Sequence, residues 1–503
     1  MDKKRFSVNL VANILSYFVS AVLSFFLTPF LVNHLGTELY GFYGIANNTV
    51  NYITIIAIAL NSMASKYITV EMVRGNQGKA NRYFSSVFFS NIILCLILTP
   101  ILVFFVLYLQ LFLNVSSEYL TDVQILFLLV FLAMIVRFLT SVFGTAVYAT
   151  NRMDYRAYLD FGKTGLRLIF FVLLFTIFRP SIIYLGFVLL LLEIFNSVTQ
   201  IFFSKRLTPE LKIRRSDFDK DLIKQTLRVG VWNSLNQLGD LLLSSSDLLV
   251  ANILIGELAS GNISIIKTVP VLISGIITAI NVVFLPRITH LYGENRTEEM
   301  IKDVNRSQLL MGTLITPIVV LFSISGKAFF SLWVPNNDAT LLSLLSCIEV
   351  SRMAVVAVTW PVSNLNIVMD KVKVPSIAVI ISGLLNVFSM FLLIRFTQLG
   401  IYAIPITTLV IAGIFYGVFI PIYASRILKV STAFFFKPIL KMLMLVIVLL
   451  LVYVPLFRFL SLSTWLHYAT FAGIGGVISL VISAVIMIGP RKSVSLLRRG
   501  VKR

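Results

Sequence analysis

Apolar stretches of about 20 residues recur along the whole of this 503-residue chain, and its basic residues gather in every second gap between them. Each stretch is long enough to cross roughly 30 Å of hydrocarbon as a helix. Lipid offers no partner to backbone N–H and C=O groups, and a helix satisfies its own within one segment. The expectation is an all-α polytopic membrane protein with about 14 transmembrane helices. The spans fall at 8–32, 41–65, 84–110, 122–149, 157–178, 181–204, 226–254, 260–285, 306–333, 339–364, 374–394, 400–424, 436–457 and 464–489. The first begins just after Met1–Arg5 and is too long for a signal-peptide core, so it reads as a retained span.

The charges fix the register of that count. If the N-terminus is cytoplasmic, even-numbered connections are inner and should be basic. They hold, with the two ends, 34 of the 42 Lys and Arg residues; the outer connections hold Arg179, Arg395 and Arg458. The alternation never slips, which puts both termini in the cytoplasm of a cell bounded by a bacterial plasma (inner) membrane. The net charge of +20 is then a topology signal and not a nucleic-acid footprint.

The outer connections are short, and the inner segment 205–225 is the one long linker. It separates an N-terminal six-helix bundle, 1–204, from a second, 226–430; 431–490 adds two further helices and 491–503 a basic tail. A weak repeat supports the division. Leu35-Gly36-Thr37-Glu38-Leu39-Tyr40-Gly41 with Ile45 is echoed by Ile255-Gly256-Glu257-Leu258-Ala259-Ser260-Gly261 with Ile265. No catalytic constellation is visible. There is no Gly-Lys-Ser/Thr phosphate loop and no His/Cys metal spacing, and Cys95 and Cys347 both sit in apolar stretches, so no cofactor is expected.

Charges inside the spans carry the chemistry, since each costs about 2.5–3.5 kcal/mol to insert and must face protein or water. Arg137, Arg167 and Lys267 lie deep without an obvious acidic partner on their own helix. With Arg352 they form a candidate cationic cavity for an anion, Arg suiting phosphate through its two-pronged fork. Glu349 lies three residues before Arg352 and can pair with it as a structural ion pair. Glu193, Asp240, Asp247 and Glu349 are candidates for coupling to a proton or sodium gradient, or are satisfied structural carboxylates. Asp247 could be held by the Ser244–Ser246 hydroxyls or by Lys267. Lys163, Lys224 and Arg228 read as surface charges at span ends, and Lys327 as a snorkelling one. Asn47 and Asn48, and Trp232, Asn233, Asn236 and Gln237, could contact a sugar by stacking and amide hydrogen bonds; interhelical hydrogen bonding is the alternative.

Leu27-Thr-Pro-Phe-Leu-Val32, Leu35-Gly36 and Tyr40-Gly41-Phe42-Tyr43 precede a polar second span ending Ala59-Leu-Asn-Ser-Met-Ala-Ser-Lys66. Together they resemble polysaccharide repeat-unit (Wzx-type) flippases of the multidrug/oligosaccharidyl-lipid/polysaccharide exporter superfamily. Asp247-Leu-Leu-Val-Ala251 and Gly256 extend the likeness to the second half. The resemblance implies two six-helix bundles in a V around a central cavity, plus two C-terminal helices that could bound a groove for a lipid tail. It implies alternating access that carries an undecaprenyl-pyrophosphate-linked oligosaccharide from the inner to the outer leaflet, with polymerase and other polysaccharide-assembly proteins as possible partners. The pyrophosphate, constant on such substrates, would meet the cationic residues. Rival readings are a peptidoglycan-precursor flippase, a drug/cation antiporter, for which twelve spans are typical, and a membrane glycan polymerase or ligase, against which the short outer connections argue. A scaffold for glycan-assembly enzymes on the basic face is a further role.

Overall fold

A computed structural model describes residue 19 and residues 22–150, 152–457 and 459–489. Every element among them is helical. Helices α1 to α6 span Val22–Leu35, Thr37–Val73, Gln77–Leu107, Leu120–Ala149, Met153–Ile177 and Ile183–Leu207. Helices α7 to α11 span Lys220–Ser244, Asp247–Leu254, Glu257–Gly293, Thr297–Trp333 and Ala339–Val368. Helices α12 to α15 span Lys373–Phe396, Gly400–Leu428, Ala433–Phe457 and Trp465–Ile488.

Eleven described helices are long and apolar enough to cross a membrane, and the chain is an all-α, multi-pass membrane protein. Each expected span from 41–65 onward falls on a helix. Three expected spans are not among the eleven. Span 8–32 is described only at residue 19 and from residue 22. Helix α5 is made polar by Arg156, Asp160, Lys163 and Arg167. The expected span 226–254 is two helices, α7 and α8, interrupted at Ser245–Ser246, and α7 carries Lys220, Asp221, Lys224, Arg228 and Asp240. Lys3–Arg5, Arg458 and the basic tail 491–503 lie outside the described residues.

The weak repeat read from two hairpins extends through the helices. The first residues of α2 and α9, Thr37 and Glu257, are 220 apart; those of α3 and α10, Gln77 and Thr297, are 220 apart; those of α5 and α12, Met153 and Lys373, are 220 apart. Leu120 and Ala339 differ by 219, and Ile183 and Ala403, where α13 passes from its opening 3-10 turn into α-helix, differ by 220. Backbone punctuation repeats too. Gly36 and Gly256 precede α2 and α9 with φ of 87° and 137°, and Gly75 and Asn295 follow those helices at 76° and 59°. Positive φ costs glycine nothing and asparagine little, so these are chain stops that sequence can specify.

Contacts divide the chain into two compact units, Met1–Ser264 and Ile265–Arg503, so the division falls inside α9 and not in the 205–225 segment. In the first unit α2 is the central strut. Lipid tails are as apolar as leucine, so helices associate there through close backbone approach and interhelical hydrogen bonds. One face of α2 meets α7 in just that way. A Cβ on Gly230 would overlap the Ala59 carbonyl. Ser234 Oγ donates to Ile55 O (2.8 Å), Tyr52 OH to Leu241 O (3.3 Å) and Asn48 Nδ2 to Ser245 O (3.0 Å). Positions 48, 52, 55 and 59 recur every three or four residues, which aligns them on one helix face. Near its start α2 crosses α9 at repeat-equivalent positions. A Cβ on Gly41 would lie 2.7 Å from Gly261 N, and one on Gly44 would meet Ser264 Oγ.

The 205–225 segment is not a free tether. Its Leu211 and Ile213, with Leu222 and Ile223, pack on a buried cluster of Leu60, Ala64, Ile68, Tyr83, Phe84, Val87 and Val142. Asn81 Oδ1 accepts from Lys212 N (2.9 Å), Ser85 Oγ from Arg214 N (3.0 Å) and Ser86 Oγ from Asp219 N (2.8 Å). Asp219 caps α7 by accepting from Asp221 N and Leu222 N, and it pairs with Arg82. Three side chains of α3 thus pin the backbone that leads into α7.

In the second unit α10 packs on α11, α14 and α15. Tyr453 OH, fully buried, donates to Gly475 O (2.8 Å) and accepts from Ser479 Oγ (3.0 Å), which ties α14 to α15. Asn281 Oδ1 accepts from Asn364 Nδ2 (3.2 Å). Its repeat-equivalent Asn61 does similar work in the first unit, exchanging hydrogen bonds with Asn91 (3.0 and 3.1 Å) and accepting from Ser141 Oγ (3.0 Å).

Candidate functional site

Several polar residues inside the long helices sit at one count from a helix end. Asn47, Glu193, Lys267 and Glu349 each lie ten residues beyond the first residue of their helix, Thr37, Ile183, Glu257 and Ala339 respectively. Arg167 lies ten residues before Ile177, the last of α5. At 1.5 Å per residue each is about 15 Å along its helix from that end, where a charge in an apolar surround is costly.

In the first unit two arginines, on α4 and α5, have hydroxyl partners. Arg137 Nη2 donates to Thr54 Oγ1 (3.2 Å), both residues lying seventeen beyond the starts of α4 and α2. Arg167 Nη2 donates to Tyr43 OH (3.2 Å), and its guanidinium sits 5.8 Å from the centre of the Phe171 ring. Both side chains are half-buried, and neither forms an ion pair among the described residues. Each neutral hydroxyl supplies one acceptor to a group with five donors, so most of each fork stays available.

Three other cations lie beside carboxylates. Glu193 accepts from Asn196 Nδ2 (3.1 Å) and has Lys163 Nζ at 4.0 Å. Lys163, expected as a surface charge, thus reaches a carboxylate of the neighbouring helix α6. In the second unit Glu349 Oε1 accepts from Arg352 Nη2 (2.8 Å) and Nε (3.1 Å) and lies 3.3 Å from Lys267 Nζ. The Glu349–Arg352 pairing is the one the three-residue spacing suggested. Lys267 joining it was not foreseen.

The remaining expected site residues scatter. Asp247 is buried at the start of α8, and Asp240, half-buried on α7, accepts from Asn236 Nδ2 (3.2 Å). Asn47 donates to Tyr43 O (2.8 Å) on its own helix, beside the Arg167 contact. Asn48 and Asn233 bond across helices, to Ser245 O and to Ser62 Oγ (3.4 Å), which is the interhelical alternative for them. Trp232 is half-buried and Gln237 exposed. Lys327 is exposed, as a snorkelling lysine should be. Tyr43 and Thr54 hold the arginines; Tyr43 stands in the motif that carries the family resemblance, whereas Thr54 has no sequence signal beyond being polar on an apolar helix. Among the described residues no group of three or more His, Cys, Asp or Glu could hold a metal ion.

The first unit thus sets two half-buried guanidinium groups against hydroxyls. The chain is 29% identical over 436 residues to the uncharacterized membrane protein EpsK of Bacillus subtilis, covering 86% of each chain. Its fold is similar to that of an inward-facing MATE-family multidrug transporter of the MOP superfamily (TM-score 0.68, 15% identity, 83% of this chain and 94% of that one). It is also similar to the lipid II flippase MurJ in an inward closed conformation (TM-score 0.66, 14% identity, 99% of this chain and all of that one). Residues 7–292, more than half of the chain, match the model of the polysaccharide biosynthesis protein family, and the chain belongs to that family of membrane proteins with the MOP-superfamily transporter fold.

Proposed function

We propose that this protein is a flippase that carries an undecaprenyl-pyrophosphate-linked oligosaccharide repeat unit from the inner to the outer leaflet of a bacterial plasma membrane, for polysaccharide biosynthesis. The observation that carries the reading is the pair Arg137 on α4 and Arg167 on α5, half-buried with hydroxyl partners and, among the described residues, no ion pair. Evolution of a membrane protein retains such charges where they do work, and a pyrophosphate is the anion common to lipid-linked sugars. The family's role in polysaccharide biosynthesis supports the sugar. Similarity to the lipid II flippase across 99% of the chain, against 83% for the multidrug transporter, supports a lipid-linked substrate over a drug.

In this reading the chain crosses the membrane fourteen times, with both termini and the basic connections cytoplasmic. Residues 1–204 and 226–430 act as paired six-helix halves, a pairing that the 220-residue repeat favours, and 431–490 flanks the lipid tail. Glu193 and Asp240, half-buried, are the candidates for coupling to a proton or sodium gradient. Polymerase and other assembly proteins take the unit on the far side.

The test is a deletion strain whose lipid-linked intermediates are extracted and assigned to a leaflet. A complete undecaprenyl-linked unit accumulating on the cytoplasmic side is expected. Units already outside but unpolymerised would mean that the protein acts after translocation, as a polymerase or ligase would.

A further inference from the structure

The connection between α6 and α7 is more than a topology signal requires. The connection between α11 and α12 does with two basic residues, Lys371 and Lys373, whereas residues 205–228 carry eight. Against these stand Glu210, Asp217, Asp219 and Asp221, of which Asp219 is taken by Arg82 and by the cap of α7. The segment is also held in place, through its backbone: Lys212 N, Arg214 N and Asp219 N donate to Asn81, Ser85 and Ser86 of α3. Arg214 is extended (φ −134°, ψ 136°), and successive side chains of extended backbone point to opposite sides. Leu211 and Ile213 accordingly pack on the buried cluster, while Lys212 and Arg214 are exposed, as is Arg215 at the turn that follows. Phe218 adds to the apolar side, its ring centre 6.3 Å from that of Phe89 on α3. Lys212, Arg214 and Arg215 form no ion pair among the described residues.

Helix α3 sets the depth of this segment. After Arg82 it carries no charge to its end at Leu107, and about 20 residues of helix span the roughly 30 Å of hydrocarbon. Counted back from Leu107, the edge of the hydrocarbon falls near Val87. Ser85 and Ser86 adjoin that edge and Asn81 lies one turn beyond it, so the segment they hold lies at the level of the lipid headgroups. We propose that residues 211–218 form a fixed docking strip for anionic phospholipid, with Lys212, Arg214 and Arg215 facing the headgroup phosphates and Phe218 the start of the acyl chains. Apolar side chains on one side and Lys and Arg on the other are what interfacial segments use to bind anionic membranes. Because α3 orders the strip in advance, less freedom is lost on binding than from a loose basic loop. An acidic protein would approach from water and would have no use for Phe218 at the hydrocarbon edge. The strip does not depend on the flippase reading, which decides only that the leaflet is the inner one.

The experiment titrates the full-length protein, purified in neutral detergent, with short-chain phosphatidylglycerol and phosphatidylcholine, and reads bound lipid by native mass spectrometry. Phosphatidylglycerol should bind at least fivefold more tightly. The triple variant Lys212→Gln, Arg214→Gln, Arg215→Gln should lose at least threefold of that affinity and leave phosphatidylcholine unchanged. It keeps the backbone bonds to α3 and five basic residues of the connection, so fold and topology should persist, and a melting curve checks this. Should it not fold, Arg214→Gln alone carries the test, with an expected twofold loss. Lys429→Gln with Lys437→Gln is the control: these cations of the repeat-equivalent connection stand eight residues apart, and their loss should leave the affinity within twofold. Equal binding of the two lipids, a folded triple variant that keeps its preference, or an equal loss in the control would overturn the proposal. Binding of poly-glutamate in place of phosphatidylglycerol, lost in the triple variant, would also overturn it and assign the strip to an acidic protein.

Discussion

The first unit leaves two half-buried arginines, on α4 and α5, against hydroxyls, whereas the second sets half-buried Lys267 and buried Arg352 around one carboxylate. The same residue types thus have different electrostatic partners. A half-buried arginine bonded to Thr54 or Tyr43, with no ion pair among the described residues, presents its charge to whatever enters. A cation beside Glu349 has a carboxylate partner, and Lys267 there contributes to holding α9 against α11. A census of intramembrane arginines and lysines would have counted all four alike.

The largest expected effect sharpens this contrast through stability. Glu349→Ala leaves Lys267 and Arg352 without their carboxylate and should destabilise the protein by about 3–5 kcal/mol, read from thermal melting in detergent. Arg137→Ala removes no ion-pair partner and should stay within about 1 kcal/mol. Equal losses would erase the distinction between the units. In transport the order reverses. Arg137→Ala with Arg167→Ala should lower polysaccharide export at least tenfold at normal protein abundance, measured by complementation of a deletion strain; full complementation would remove the anion role from the first unit.

How much of this was legible beforehand depends on sequence distance. The spans and their basic alternation are local signals, and helices stand at each expected position from 41–65 onward. Arg137 and Arg167 could be singled out because no acidic residue lies one turn away on their helices. The Lys267–Glu349 contact could not be read, since 82 residues separate the two; only their common count of ten from the starts of α9 and α11 hints at it, and that count needs helix ends known to within a residue or two. The polar start of its helix marks Lys163 as a surface charge, but its partner Glu193 lies beyond the next turn. Docking of 205–225 was hidden by its many charges, although Leu211 and Ile213 are apolar residues that a free tether would not need. The expected V and central cavity came from resemblance alone.

Smaller effects probe the packing that holds the first unit's arginines in position. Gly261→Val would drive a side chain into the Thr37 carbonyl and should cost about 1–3 kcal/mol through overpacking. Thermal melting would detect it, and a neutral result would mean that α2 and α9 separate readily at this crossing. Asn233→Ala breaks the long hydrogen bond to Ser62 and should cost roughly 0.6 kcal/mol or less, the average for such bonds in membranes. A larger loss, with export reduced, would return Asn233 to the list of sugar contacts.

The most direct test of the central claim is leaflet exchange in proteoliposomes. A fluorescent undecaprenyl-pyrophosphate disaccharide is reconstituted with the protein, and its accessibility to an impermeant quencher is followed in time. The account predicts protein-dependent exchange that falls at least tenfold when Arg137 and Arg167 are both replaced by Ala. Exchange at the same rate with and without the two arginines would contradict it.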